Sequence, residues 1–169
     1  MPIGPSSSLP ILPLRCPSAP GGIFQRVRAS DVKYLVDAGP LVGAFWPADQ
    51  WHRWSRQTLA SLGCPVHTTK TILAEAAHHL KASLPALLQI LAAVDAGLIL
   101  LITVFPLRIG RAAELIVDYK PRGDNGDASL LILSEQFPEA KLITIDRADF
   151  MIYRRKDGLP VPCIMPPGA

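Results

Sequence analysis

Two apolar segments of the sequence each lead into an aspartate, and these two acids are the first candidates for chemistry. The segment 33–37 ends on Asp37, and the segment 141–145 is followed directly by Asp146. Short apolar runs rich in β-branched residues are typical of buried parallel strands. Open α/β sheets bind their ligands at the carboxyl ends of such strands. The pattern therefore predicts one acidic pocket at one edge of one sheet.

Further acids are expected to face the same pocket. An isolated aspartate could equally be a helix cap, because Asp is a preferred N-cap residue and strands lead into helices. The whole set is harder to explain by capping, and we interpret it as a functional cluster. Its additional members lie in predicted helices or in their first turns: Glu75, Asp127 and Asp149, with Asp124 in reserve.

Clustered carboxylates predict a metal site. They cannot share a small pocket in ionised form unless a positive charge joins them. The sequence has no cluster of cysteine and histidine, so the ligands would be hard oxygens, which select Mg²⁺ or Mn²⁺ over zinc. Ions held in this way activate water and stabilise the charge that develops during phosphodiester cleavage. His78 and His79 follow Glu75 at helical spacing, but a packed or solvent-facing histidine is the simpler interpretation.

Three common nucleotide-binding and hydrolase motifs are missing from the sequence. No GxxxxGK[ST] is present, so the chain is not a P-loop enzyme, and Gly123-Asp-Asn-Gly126 is not a GxGxxG. No GxSxG is present either, which excludes the nucleophile elbow of α/β-hydrolases.

The elements that must position the acids alternate along the chain. Strands are predicted at 33–37, 65–68, 98–104, 141–145 and 161–165, the last as an edge strand between prolines. Helices are predicted between them, including 84–96, 106–119 and 127–135, with caps at Asp49 and at Thr69 or Thr71. This order favours a single α/β domain with a mainly parallel sheet.

Composition gives little support to a generally basic, nucleic-acid-binding surface. The net charge of +3 comes from residues 1–30, which contain three arginines and no acid, and the remainder balances 14 basic against 14 acidic residues. Three widely spaced cysteines indicate a reducing, cytoplasmic compartment. The apolar run 86–105 is interrupted by Asp95 and Gly97, so we expect a helix and a strand here and not a membrane span.

The N-terminal region differs from the rest of the chain. Residues 1–30 are rich in Pro, Ser and Gly, and we interpret them as a flexible extension of a single domain at 31–169. A signal peptide is disfavoured, because Pro10 and Pro13 interrupt the only apolar run and no basic region precedes it. Whether Met1 is the natural start stays open.

Four segments, taken in order, resemble the successive acidic motifs of PIN-domain ribonucleases. No single segment is specific, but the order and spacing match from about residue 33 to residue 153. The resemblance is strongest to the toxin subunits of VapBC-type toxin–antitoxin pairs. The segments are Val36-Asp-Ala-Gly-Pro-Leu-Val42, Leu73-Ala-Glu-Ala76, Asp124-Asn-Gly-Asp-Ala-Ser-Leu130 and Thr144-Ile-Asp-Arg-Ala-Asp-Phe150.

The resemblance implies a three-layer α/β/α sandwich that cuts RNA with Mg²⁺ or Mn²⁺. It implies an antitoxin protein as a partner and allows a homodimer. Carried over by position, the catalytic and metal-binding acids would be Asp37, Glu75, Asp127 and Asp146, with Asp149 as a further metal ligand. Ala38 and Gly39 stand where many members of the family have a hydroxyl residue after the first aspartate.

Substrate phosphates also require cations. Several basic residues are available, and those next to the last acidic motif are the best candidates for RNA contact. These candidates are Arg147, Arg154, Arg155 and Lys156.

Two other functions remain possible on the sequence. One is a catalytically weak, RNA-binding or regulatory PIN domain that acts through protein partners. The other is a receiver-like signalling domain, which would be expected to carry two adjacent acids after its first strand. Ala38 and Gly39 do not fit the receiver pattern.

The first prediction concerns the N-terminal extension. A chain that begins near Gln25 should keep the melting temperature of the full chain, because the composition of the removed residues cannot bury enough apolar surface to offset their conformational entropy. Thermal melts of both chains measure this. A drop of more than a few degrees would assign the extension to the folded core.

Overall fold

A five-stranded parallel sheet forms the centre of the molecule in the computed structural model, which describes residues 28–168. The strand order is β3-β2-β1-β4-β5, and every pairing is parallel. The predicted extension lies almost wholly outside the described residues. The strands are β1 Tyr34–Val36, β2 Val66–Thr69, β3 Ile99–Ile102, β4 Lys141–Ile143 and β5 Cys163–Ile164.

Helices connect the strands, and the prediction of an α/β/α sandwich with a parallel sheet is confirmed. A short 3-10 turn, Ala29–Asp31, precedes β1. Within the described residues the α-helices are α1 Ala38–Phe45, α2 His52–Ser61, α3 Lys70–Leu80, α4 Leu84–Asp95, α5 Ile109–Asp118, α6 Asn125–Gln136 and α7 Arg147–Phe150.

Register places β1 and β4 side by side at the middle of the sheet. Val36 pairs with Ile143, and the amide of Asp37 donates to the carbonyl of Ile143 at 3.0 Å. The chain therefore leaves both strands at the same level, and the residues that follow them become neighbours.

Helix α6 lies in the interior of the molecule. It contacts β1, β2 and β4 as well as α5, and eight of its residues are buried, from Gly126 to Ser134. A helix that is apolar on nearly all sides must be covered on nearly all sides. Its first turn is consequently held in a fixed position beside the carboxyl ends of the strands.

Several element boundaries differ from the sequence predictions. The helix predicted from Pro106 begins at Ile109, because residues 105–108 form a turn. The helix predicted from residue 127 begins at Asn125, because the side chain of Asp124 accepts from the amide of Asp127 and is the cap. Asp49 does not cap α2 directly, and its carboxylate accepts from the amide of Trp51 at 2.7 Å.

Other local predictions are confirmed. Thr69 caps α3 by accepting from the amide of Ile72, and β5 is an edge strand. Gly97 follows α4 with a φ of 71°, a left-handed conformation that glycine adopts without steric cost. The apolar run 86–105 divides into α4 and β3, and no helix within residues 28–168 has the length and apolarity needed to cross a membrane.

The close approach of α1 and α2 gives the second prediction. A Cβ atom at Gly43 would lie 2.5 Å from the buried Oγ of Ser55, so Gly43→Ala should destabilise the fold by about 1–3 kcal/mol through overpacking. Thermal or urea melts measure the change. Gly110→Ala is the control, because a Cβ there meets no atom within 4 Å and the melting temperature should hold or rise. Equal stability of the two variants would show that α1 and α2 separate at little cost.

Candidate active site

A cleft of about 380 Å³ opens at the carboxyl ends of β1 and β4. It is strongly acidic, and Arg122 and His79 are the basic side chains that line it within residues 28–168. Its carboxylates come from five separate parts of the chain and include every acid predicted for the site. They belong to Asp37, Asp49, Glu75, Asp124, Asp127, Asp146 and Asp149.

Asp37 lies at the floor of the cleft, where β1 ends and α1 begins. It is only 8% exposed. One carboxylate oxygen accepts from the amide of Ala38 at 2.7 Å, and the other accepts from the hydroxyl of Thr144 at 2.7 Å. Burial raises the pKa of Asp37 to about 6, although both hydrogen bonds oppose the rise. Asp37 is therefore a rigidly oriented carboxylate that resists ionisation.

Thr144 connects the two central acidic segments. Its buried hydroxyl donates to Asp37 and accepts from the amide of Asp146 at 3.0 Å. The carboxylate of Asp146 in turn accepts from the amide of Asp149 at 2.9 Å and caps α7. Asp37 and Asp146 are thus helix caps and cleft residues at the same time. Capping accounts for one hydrogen bond of each acid but does not explain why both line one cleft.

Asp127 reaches the cleft from the first turn of α6. Its Oδ2 atom accepts from the hydroxyl of Tyr153 at 2.8 Å. Burial is the largest influence on this carboxyl and raises its pKa to about 7, with a further contribution from Asp124. Tyr153 is itself buried and packs edge-on against Tyr119 and Phe150. The hydroxyl donor to Asp127 is therefore fixed by the core.

Glu75 approaches the cleft from α3, close to the start of α6. A Cβ atom at Gly126 would lie 2.9 Å from Oε2 of Glu75 and 3.1 Å from Oδ1 of Asp124. Glycine at this position therefore allows carboxylates from two helices to approach one another. Desolvation, followed by the charge of Asp124, raises the pKa of Glu75 above its ordinary value.

Asp149 also lines the cleft but already has a cationic partner. Its Oδ1 atom lies 2.9 Å from Nη1 of Arg122. The guanidinium comes from the turn between α5 and α6, so this ion pair joins that turn to α7.

The four cations that were predicted to contact RNA do not belong to the lining of the cleft. Arg155 is buried, and its guanidinium donates to the carbonyls of Pro138 and Ser134. Arg154 donates to backbone carbonyls of its own loop, and Arg147 donates to the carbonyl of Pro166. Lys156 lines a separate groove beside α5 and α6. None of the four lines the acidic cleft.

The two hydroxyl residues that orient the cleft acids were missed at the sequence level. Thr144 immediately follows β4 and belongs to the same segment as Asp146, so a hydroxyl at that position was a usable signal. Tyr153 carried no local signal, because its bond to Asp127 depends on how α6 packs beside the loop after α7.

The chemistry of the cleft suits a hard divalent cation. Within residues 28–168 no group of three or more His, Cys, Asp or Glu side chains is already arranged to hold a metal ion. The available donors are carboxylate oxygens, the type preferred by Mg²⁺ and Mn²⁺. A cation would also favour the ionised forms of Asp37 and Asp127, which burial now disfavours. The residues present therefore fit such an ion in charge and in type of donor.

Comparison with known proteins identifies the fold. No protein-family model matches the sequence, and no curated protein matches it. Among solved structures the chain is similar to VapC20 from Mycobacterium tuberculosis, a toxin that cleaves the sarcin–ricin loop. The TM-score is 0.56 at 17% identity, and the match covers 65% of this chain and 87% of VapC20. The chain has the PIN-type α/β/α fold of that toxin, as the motif resemblance predicted.

The third prediction follows from the raised pKa values. Asp37 and Asp127 bind protons more tightly in the folded state than in the unfolded state, so they stabilise the metal-free fold below about pH 4 and lose that contribution as pH rises through about 6 to 7. Asp127→Asn cannot ionise at this position. In EDTA at pH 8 the variant should melt roughly 2–8 °C above the parent, and at pH 5 the difference should shrink.

Thermal melts at several pH values measure this effect, and Asp95→Asn is the control because Asp95 is exposed on α4. If Asp127→Asn melts below the parent at pH 8 without metal, then Asp127 serves mainly to stabilise the start of α6.

Proposed function

We propose that this chain is a divalent-metal-dependent endoribonuclease and the toxin of a toxin–antitoxin pair. One observation carries the proposal. The carboxylates of Asp37, Glu75, Asp127 and Asp146 line one cleft at the carboxyl ends of the central strands of a PIN-type fold. This is the edge at which parallel α/β sheets bind ligands.

Three of these acids would hold the metal. Asp37, Asp127 and Asp146 each have one or more hydrogen bonds that orient the carboxylate and leave lone pairs for a cation. Bound Mg²⁺ or Mn²⁺ supplies an activated water and offsets the charge that develops on the phosphate.

Glu75 has the environment of a metal ligand or of a residue that orients water. It lies on the wall of the cleft, and its raised pKa makes it a better proton acceptor than an ordinary glutamate. In hydrolysis the oxygen of water bonds to phosphorus, one P–O ester bond breaks, and the proton released by water passes to the base. The leaving oxygen then takes up a proton.

The proposed substrate and partner draw support from the fold neighbour. VapC20 cleaves the sarcin–ricin loop, which favours RNA as the substrate of this chain. A protein antitoxin that covers the cleft would neutralise such an enzyme. The alternative is an RNA-binding domain with the same fold and little activity, and the experiment below separates the two.

The fourth prediction is metal-dependent RNA cleavage. The purified chain should cut a sarcin–ricin loop oligonucleotide or an unrelated single-stranded RNA in Mn²⁺ or Mg²⁺, and EDTA should abolish cleavage. Asp37→Asn and Asp146→Asn should each lower the rate by about a hundredfold or more, because the site loses an anionic ligand while Asn still caps a helix.

Asp95→Asn should cleave like the parent, because this exposed residue is remote from the cleft. Cleavage that persists in EDTA, or that survives both cleft substitutions in folded protein, would contradict the proposal. RNA binding without cleavage under all conditions would favour the alternative function.

A further inference from the structure

We propose that Arg122 binds a phosphate of the RNA at the mouth of the acidic cleft, and that Asp149 positions its guanidinium there instead of binding metal. The inference rests on the proposed function and adds a substrate-binding residue to it. It also removes Asp149 from the set of metal ligands that the sequence suggested.

The negative charge of the cleft and of RNA favours a protein cation at the mouth of the cleft. Seven carboxylates line the cleft, and an RNA strand carries a negative charge on every phosphate. A metal ion offsets part of this repulsion only at its own position. Phosphates on either side of the cut still face acidic walls. Among residues 28–168, Arg122 is the arginine or lysine that lines the cleft.

The geometry of Arg122 leaves room for a phosphate. The guanidinium makes one contact, from Nη1 to Oδ1 of Asp149, and its side chain remains 50% exposed. Among the described residues, no second acceptor lies within hydrogen-bond distance of this guanidinium. An arginine has five N–H donors and binds phosphate through two parallel hydrogen bonds. The edge not used by Asp149 therefore remains available to the substrate.

The hydrogen bonds around Asp149 suit a positioning role. Its amide donates to the carboxylate of Asp146, which fixes the start of α7, and its own carboxylate is only 17% exposed beside Arg122. The backbone of Arg122 is held as well, because its amide donates to the carbonyl of Tyr119 at 2.8 Å. Arg122 is thus held at its backbone by Tyr119 and directed at its side chain by Asp149.

The first experiment measures RNA affinity without cleavage. Fluorescence anisotropy with a labelled single-stranded RNA, in Ca²⁺ or in EDTA and over a range of salt concentrations, compares the parent with Arg122→Gln and Arg122→Lys. Arg122→Gln should weaken binding roughly tenfold and reduce the slope of log affinity against log salt by about one phosphate contact. Arg122→Lys should restore the slope and only part of the affinity, because lysine keeps the charge but loses the planar fork.

Arg108→Gln is the matched control, because it removes the same charge from an exposed arginine on the separate groove. Its affinity and salt slope should stay close to those of the parent. Thermal melts confirm that each variant is folded. If Arg108→Gln and Arg122→Gln lose RNA affinity equally, the loss results from the change in net charge alone, and the inference is overturned.

The second experiment measures Mn²⁺ affinity by titration calorimetry without RNA. Asp149→Asn should bind Mn²⁺ within about twofold of the parent, whereas Asp146→Asn should lose most of its affinity. A loss in Asp149→Asn as large as that in Asp146→Asn would make Asp149 a ligand and overturn its positioning role.

The outcomes separate the inference from the function on which it rests. If the parent binds and cleaves RNA while Arg122→Gln keeps full affinity and the full salt slope, the inference is wrong and the proposed function stands. If the parent neither binds nor cleaves any RNA, the proposed function fails and the role of Arg122 fails with it.

Discussion

The parallel pairing of β1 with β4 is the constraint on which the acidic cleft depends. Because Val36 pairs with Ile143, the chain leaves both strands at one level, and Asp37 meets the hydroxyl of Thr144. Thr144 also holds the amide of Asp146. One buried hydroxyl therefore orients acids from two segments that lie 107 residues apart in sequence.

Burial and neighbouring negative charges disfavour ionisation of the same carboxylates that the fold orients by hydrogen bonds. Asp37 and Asp127 both resist ionisation, and each is held by a buried hydroxyl, from Thr144 and Tyr153 respectively. Charged groups that are crowded in this way destabilise a fold unless a counter-charge joins them. Such local destabilisation is characteristic of functional sites.

Local sequence patterns were sufficient to predict the strands and the acids that follow them. They were insufficient to predict contacts between distant segments. Asp37 and Asp146 were identified because an apolar run followed by an acid is visible within a few residues. The bond from Tyr153 to Asp127 depends on tertiary packing, which no short window contains. The positions of Arg154, Arg155 and Lys156 also depend on tertiary packing, because the loop that carries them turns back in an antiparallel bridge between Arg154 and Pro160, and none of the three lines the cleft.

The most direct test of the account is a crystal structure of the chain soaked in Mn²⁺, with an anomalous difference map recorded to locate the ion. We expect a strong peak inside the cleft, in contact with carboxylate oxygens of Asp37, Asp127 and Asp146, while Asp149 remains paired with Arg122. An empty cleft at saturating Mn²⁺, or a peak held by acids elsewhere on the surface, would contradict it.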